Sequence, residues 1–137
     1  MQQLAPVRKI RDILQECKHI AVVGLSPKPA RPSNQVAAYM LRAGYDIIPV
    51  NPGHAEILGR PCYPDLQSVP GTIDMVNIFR RSEEVLPIVQ AAIEKKVRVI
   101  WMQQGIVNEE AAALAEKQGI TVIMDRCLKV DHQHYLG

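Results

Sequence analysis

Aromatic surface is scarce in this chain, and so is net charge. One Phe, one Trp and four Tyr in 137 residues offer no stacking platform of the kind single-strand nucleic-acid binders use. The 16 Lys+Arg and 14 Asp+Glu nearly cancel, to +2. Basic residues are dispersed apart from small clusters such as Arg80–Arg81 and Lys95–Lys96, which argues against a nucleic-acid partner. No run of about 18 apolar residues occurs, so a membrane helix is excluded. Nor do residues 1–6 show the charged-then-apolar pattern of a secretory signal, and the expected location is cytoplasmic. Cysteine is sparse too: Cys17, Cys62 and Cys127 are odd in number, widely spaced and without a C-x-x-C pair. That pattern fits reduced thiols better than disulfides or a zinc site.

The chain is otherwise rich in apolar residues, at 47%. Since a domain averages roughly 150 residues, one core and one domain over residues 1–137 are expected. Val7, Ile10, Ile13 and Leu14 recur at helical spacing and predict an amphipathic helix ending near Cys17. Ile20–Val23 reads as a short buried strand, and Asp46–Val50 as the next. Between them lies a helix capped by Ser33, striped by Val36, Ala37, Met40 and Leu41, and closed by Gly44. Residues 54–71 are rich in Pro and Gly, and predict at most a minor edge strand and a turn of helix around Ile57–Leu58 and Cys62–Tyr63.

Further strands are expected over Met75–Phe79, Val97–Met102 and Ile120–Met124. The intervening helices are capped by Ser82 and Asn108, and Gly119 closes the second. Strands alternating with helices imply an α/β fold: a Rossmann-like, doubly wound parallel sheet of about five strands in three layers. Ligands of such sheets lie beyond the carboxyl ends of the strands.

Those ends collect the candidate site. Strand one stops at Gly24 and turns into a helix through a loop carrying Ser26, Pro27, Lys28, Arg31 and Ser33. A strand–glycine–helix turn leaves unpaired N–H groups aimed at an anion, and two cations with two hydroxyls suit phosphates. The dinucleotide fingerprint is missing, because Gly24 stands alone and Asn51, between Val50 and Pro52, sits where NAD enzymes place a carboxylate. Asn51 suits either a ribose hydroxyl or a turn. Arg80 suits either a phosphate or Glu83 and Glu84 at the helix start. Cys127, beside Arg126 and near Lys129, is the one candidate for reactivity, against the plainer reading of a small buried turn residue. His132 and His134, two apart near the C-terminus, read as surface residues rather than metal ligands.

Five segments in order resemble a known family: VVGLSPKPARPS at 22–33, PVNP at 49–52, FR at 79–80, WMQQG at 101–105 and DRCLK at 125–129. Together they are similar to the small stand-alone CoA-binding proteins, related to the N-terminal CoA-binding domain of the succinyl-CoA synthetase α subunit. The resemblance implies a Rossmann-like domain holding coenzyme A or an acyl-CoA, with the 24–33 loop cradling the phosphates and adenine against Val50 near Asn51–Pro52. It implies that Phe79–Arg80 and Gln103–Gln104–Gly105 flank the ligand and its pantetheine arm. The histidine-bearing domain and separate nucleotide domain of those synthetases have no counterpart in these residues, so catalysis by the chain itself is not expected. The alternative is an NAD(P)-binding oxidoreductase or a partner-dependent acyl-CoA enzyme.

Overall fold

The computed structural model describes residues 7–137, with side chains from Lys9 onward. The expected apolar role of Val7 therefore lies outside the described side chains. Helix α1 (Val7–Glu16) leads into β1 (His19–Val23), α2 (Pro32–Arg42) and β2 (Asp46–Val50). A small hairpin of β3 (Glu56–Ile57) and β4 (Arg60–Pro61) follows. Then come β5 (Met75–Ile78), a 3₁₀ turn at Ser82–Glu84, α3 (Val85–Glu94), β6 (Val99–Met102), α4 (Glu109–Lys117), β7 (Thr121–Ile123) and α5 (Leu128–Tyr135).

Five strands form one parallel sheet in the order β2-β1-β5-β6-β7. The alternation of side chains across each strand divides the core into two layers. Ala21, Val23, Val76, Ile78, Ile100 and Met102 face α3 and α4, against Val85, Val89, Ala92, Ala111 and Ala115. Ile20, Val22, Ile47, Met75, Val99 and Trp101 face the other way, against Ile10, Leu14, Met40 and Leu128 of α1, α2 and α5. This is the doubly wound α/β architecture expected from the sequence. Among the described residues no helix is long and apolar enough to cross a membrane.

The chain reverses its winding at β1: one connection runs outward to β2, and the next returns to β5 on the opposite side. The ends of β1 and β5 therefore diverge into loops that leave in opposite directions, which opens the sheet's carboxyl edge.

Several local expectations change. Ser33 is not the cap of α2; that position belongs to Arg31, and the Ser33 hydroxyl accepts the Ser26 N–H at 2.9 Å. Ser82 likewise does not cap α3, which starts after Glu84; its hydroxyl accepts the Val107 N–H at 3.0 Å. Both serines satisfy distant backbone donors instead of local ones. Asn108 does cap α4, accepting from Ala111 N–H at 2.9 Å. The expected turn of helix near Cys62 is absent, and the segment is held by a lone bridge between Val50 and Tyr63.

The largest correction is at the C-terminal end, where a helix, α5, stands in place of a tail. His132 is buried in it rather than exposed, its Nδ1 paired with Tyr39 Oη at 2.7 Å and its ring packed edge-on against Tyr39 and Tyr45. Helix α5 is weakly amphipathic in sequence because its buried side includes Asp131 and His132, whose polarity masks the stripe. Burial, with the charge of Lys18 adding, pushes the imidazole below its ordinary 6.5. The folded state thus resists a proton that the unfolded chain accepts. This contribution to stability is complete above 6.5 and falls away as the pH drops through and below that value. Urea midpoints compared between about pH 7.5 and about pH 5.5 should fall less in His132→Gln than in the parent; equal slopes would contradict the assignment.

Candidate functional site

Gly24 ends β1 with φ +89°, a backbone region that L side chains rarely adopt. Its N–H donates to Val50 O at 2.9 Å, and Phe79 N–H donates to Val23 O at 2.8 Å, so the ends of β2 and β5 clasp the end of β1. A Cβ at position 24 would lie 2.5 Å from the Phe79 carbonyl oxygen. Only glycine lets the chain pass between the two strands and turn outward.

The loop beyond is folded upon its own polar side chains. Leu25 is fully buried, and its carbonyl accepts from Asn51 Nδ2 at 2.8 Å. Ser26 is fixed on three sides: its N–H by Ser33 Oγ, its carbonyl by Asn34 Nδ2 at 2.9 Å, and its hydroxyl by the N–H of Lys28 at 3.1 Å. Arg31 N–H closes a turn onto Lys28 O at 3.0 Å. With the loop's internal groups occupied, Lys28 and Arg31 are exposed and have no carboxylate partner among the described residues. Helix α2 begins at Pro32, which has no N–H, and Ser33 and Asn34 behind it are buried, so the helix start contributes its dipole to that surface.

Arg80, the third cation, is half-buried at the end of β5. Its neighbour Arg81 takes the helix-start carboxylates, with Glu84 at 2.8 Å and Glu83 at 3.8 Å. The hydrogen bond from Arg81 holds the Glu84 carboxyl below its ordinary range, and the charges of Arg81 and Arg80 add to this. Arg80 therefore has no ion-pair partner of its own among the described residues. It stands between two hollows of the carboxyl edge. One is an apolar slot of about 280 Å³, walled by Val23, Val50, Pro52, Leu66, Pro87 and Ile88. The other is an open cleft of about 970 Å³ between α2 and the start of α5, reached by Phe79, Gln103–Gln104–Gly105, Cys127 and Val130.

The residues expected at the site thus converge, but in different capacities. Gly24, Ser26, Pro27, Lys28 and Arg31 form the loop itself. Ser33 and Asn51 brace it from behind: the Asn51 carboxamide nitrogen holds Leu25, and its N–H bonds Tyr63 O at 2.9 Å. Gln103 is buried, and its Oε1 accepts from Asn77 Nδ2 at 3.2 Å and Leu128 N–H at 3.3 Å, tying the sheet to α5. Gly105 N–H donates to Asp125 Oδ1 at 2.7 Å. Asp125 thus braces the 103–105 loop, and Arg126 pairs with Asp131 at 2.6 Å.

Cys127 is the N-terminal cap residue of α5, half-buried and lining the cleft, with the neighbouring Arg126 charge already taken by Asp131. Burial pushes the Cys17 thiol up to about 11 and raises Cys62, so both are poor nucleophiles at neutral pH. Sequence reading missed Asn34, whose position beside Ser33 at a helix start was the available signal. It also missed every cleft residue of α5 beyond Cys127, because that helix was not recognised.

Gly24→Ala combines a disfavoured backbone angle with a clash against main chain that cannot move aside. It should destabilise the fold by about 3 kcal/mol or more in urea unfolding; a loss below about 1 kcal/mol would show that the clasp is loose.

A family model described as "CoA binding domain" matches residues 18–133. The uncharacterized protein YneT of Bacillus subtilis is 49% identical over 124 residues, covering 90% of this chain and 92% of that protein. The solved structure of a hypothetical protein from Pyrococcus horikoshii OT3 superposes with a TM-score of 0.94 at 39% identity, covering 100% of both chains. An ADP-forming acetate–CoA ligase of Archaeoglobus fulgidus is 29% identical over 121 residues, which span 81% of this chain but 18% of the ligase.

Proposed function

The chain belongs to the CoA-binding domain family, and we propose that it holds coenzyme A at the carboxyl edge of its sheet without transforming it. The observation that carries this reading is the set of three cations, Lys28, Arg31 and Arg80, without carboxylate partners among the described residues, around a loop that opens at the reversal of strand order. CoA presents a diphosphate and a ribose 3′-phosphate, so each cation has an oxyanion to meet. The first turn of α2 adds a favourable dipole. Ser26 and Lys28 lie on the phosphate side; Ser33 and Asn51 fix the loop's shape.

The apolar slot between Val50, Pro52, Leu66 and Ile88 suits a flat adenine ring, and the pantetheine arm then runs past Phe79 and Arg80 toward Gln103–Gly105. Dinucleotide recognition is disfavoured, because Asn51 spends its carboxamide nitrogen on Leu25 and no carboxylate stands in its place. Charge-assisted bonds to phosphate contribute about 1.5–3 kcal/mol, so Arg31→Ala and Arg80→Ala should each weaken CoA about 10- to 100-fold by calorimetry. CoA should also bind more tightly than NAD. Unchanged affinity in both variants, or tighter NAD, would overturn the reading.

The absence of turnover belongs to the same proposal. Acyl transfer needs a nucleophile with a base in hydrogen-bond reach. Among the described residues Cys127, the thiol that lines the cleft, has no imidazole or carboxylate bonded to it, and Asp125 is occupied by Gly105. The purified protein should neither hydrolyse acetyl-CoA nor form it from acetate and ATP. Steady turnover that disappears in Cys127→Ser would make this an enzyme.

A further inference from the structure

The two hollows beside Arg80 are unequal, and their walls differ in a way that free CoA does not explain. The slot of about 280 Å³ is closed by the 52–66 segment and α3. The cleft of about 970 Å³ begins at Pro32 and Gln35, where the phosphate loop becomes α2, and extends to Val130 and Gln133 on α5. Its volume lies near the top of the range for small-molecule sites, about 300–1,000 Å³. Its walls include Val36, Phe79, Ile106 and Val130. Val130, at 55% exposure, and Val107, at 40%, are the exposed large hydrophobics among the described residues, and Val107 adjoins Ile106. On the cleft wall Val130, with the partly buried Phe79 and Ile106, offers apolar surface that an apolar ligand group would cover.

Resting on the CoA reading above, we propose that the ligand is an acyl thioester of CoA whose acyl chain is apolar and lies in the cleft between α2 and α5. The path is continuous: with phosphates on the 24–33 loop and the arm passing Phe79, the thiol end emerges among Ile106, Cys127 and Val130. A free thiol would leave Val130 facing water. An acyl group ending in a carboxylate would lose hydration against these apolar walls, which disfavours it. Arg81 is paired with Glu83 and Glu84, and Lys129 lies over the Tyr39 ring, 5.8 Å from its centroid. Arg80 is engaged by phosphate, and Glu83, on the rim, repels a second carboxylate.

Calorimetry under reducing conditions, with CoA and its acetyl, butyryl, hexanoyl and succinyl esters, tests this. Full burial of a methylene tightens binding about fourfold, so hexanoyl-CoA should bind at least about tenfold tighter than acetyl-CoA even when the chain is only partly covered. Succinyl-CoA should bind more weakly than butyryl-CoA. Val130→Asp, at an exposed position, should shrink the hexanoyl-to-acetyl ratio. Flat or falling affinity along the series, with CoA itself still bound, overturns the acyl proposal and leaves the CoA reading standing. Succinyl-CoA exceeding butyryl-CoA overturns the apolar class, and an unchanged ratio in Val130→Asp overturns the location. Failure of CoA and every ester to bind overturns the CoA reading along with it.

Discussion

The passage of the chain at Gly24, between the ends of β2 and β5, is the constraint on which the rest of the binding edge depends. Two backbone hydrogen bonds, Gly24 to Val50 and Phe79 to Val23, draw three strand ends together, and the Phe79 carbonyl then fills the space a side chain at position 24 would need. A parallel sheet alone would only bring these ends to one edge. The clasp fixes the direction in which the loop departs, and so where Lys28 and Arg31 stand relative to Arg80, one residue beyond the clasping Phe79. A single glycine suffices because one close approach has to be solved; the loop's remaining shape is held by hydroxyl and carboxamide side chains rather than by further glycines.

The far wall of the site is built by a different device. Helix α5 has a weak apolar stripe and is docked by specific polar anchors. Trp101 Nε1 donates to Arg126 O at 2.9 Å, Gln103 receives Leu128 N–H, Arg126 grips Asp131 within the first turn, and Tyr39 meets His132 in the last. Leu128 is the apolar contact that makes these bonds dry. Buried polar groups of this kind cost free energy unless satisfied, so together they specify one placement of the helix more sharply than they stabilise it. That placement matters because Cys127, Lys129, Val130 and Gln133 line the cleft from α5.

This contrast explains what could be read in the sequence. The five strands, four of the five helices and the doubly wound sheet follow from periodicities of two and 3.6, which local residues set. The turn at Gly24 and the loop that carries Lys28 and Arg31 were legible because they are contiguous in sequence. The roles of Ser33, Ser82, Asn51 and Asp125 were not, since each spends its side chain on a backbone group 7 to 26 residues away that only the folded topology supplies. Ser33 and Asn108 look equally suited to cap a helix; Ser26 lies within reach of the first, and Ala111 within reach of the second. Helix α5 was missed for the same reason, its polar anchors having been read as solvent-facing.

The charge pattern links fold and function more closely than the net value of +2 suggests. Four cations outside the loop have carboxylates at hand: Arg98 with Glu16, Arg60 with Asp46, Arg126 with Asp131 and Arg81 with Glu84. Exposed pairs of this sort add little stability, and their effect is to remove positive potential from those surfaces. Lys28, Arg31 and Arg80 are left as a local excess in a nearly neutral chain. On the proposed reading an anion meets these cations at one edge, and a field of short range in salt is enough when its phosphates come within hydrogen-bond distance of them. Selectivity between phosphate ligands then cannot come from charge. On the proposed reading it rests on the two hollows flanking Arg80, one sized for a flat ring and the other open and partly apolar, with the ligand filling both sides of its phosphates.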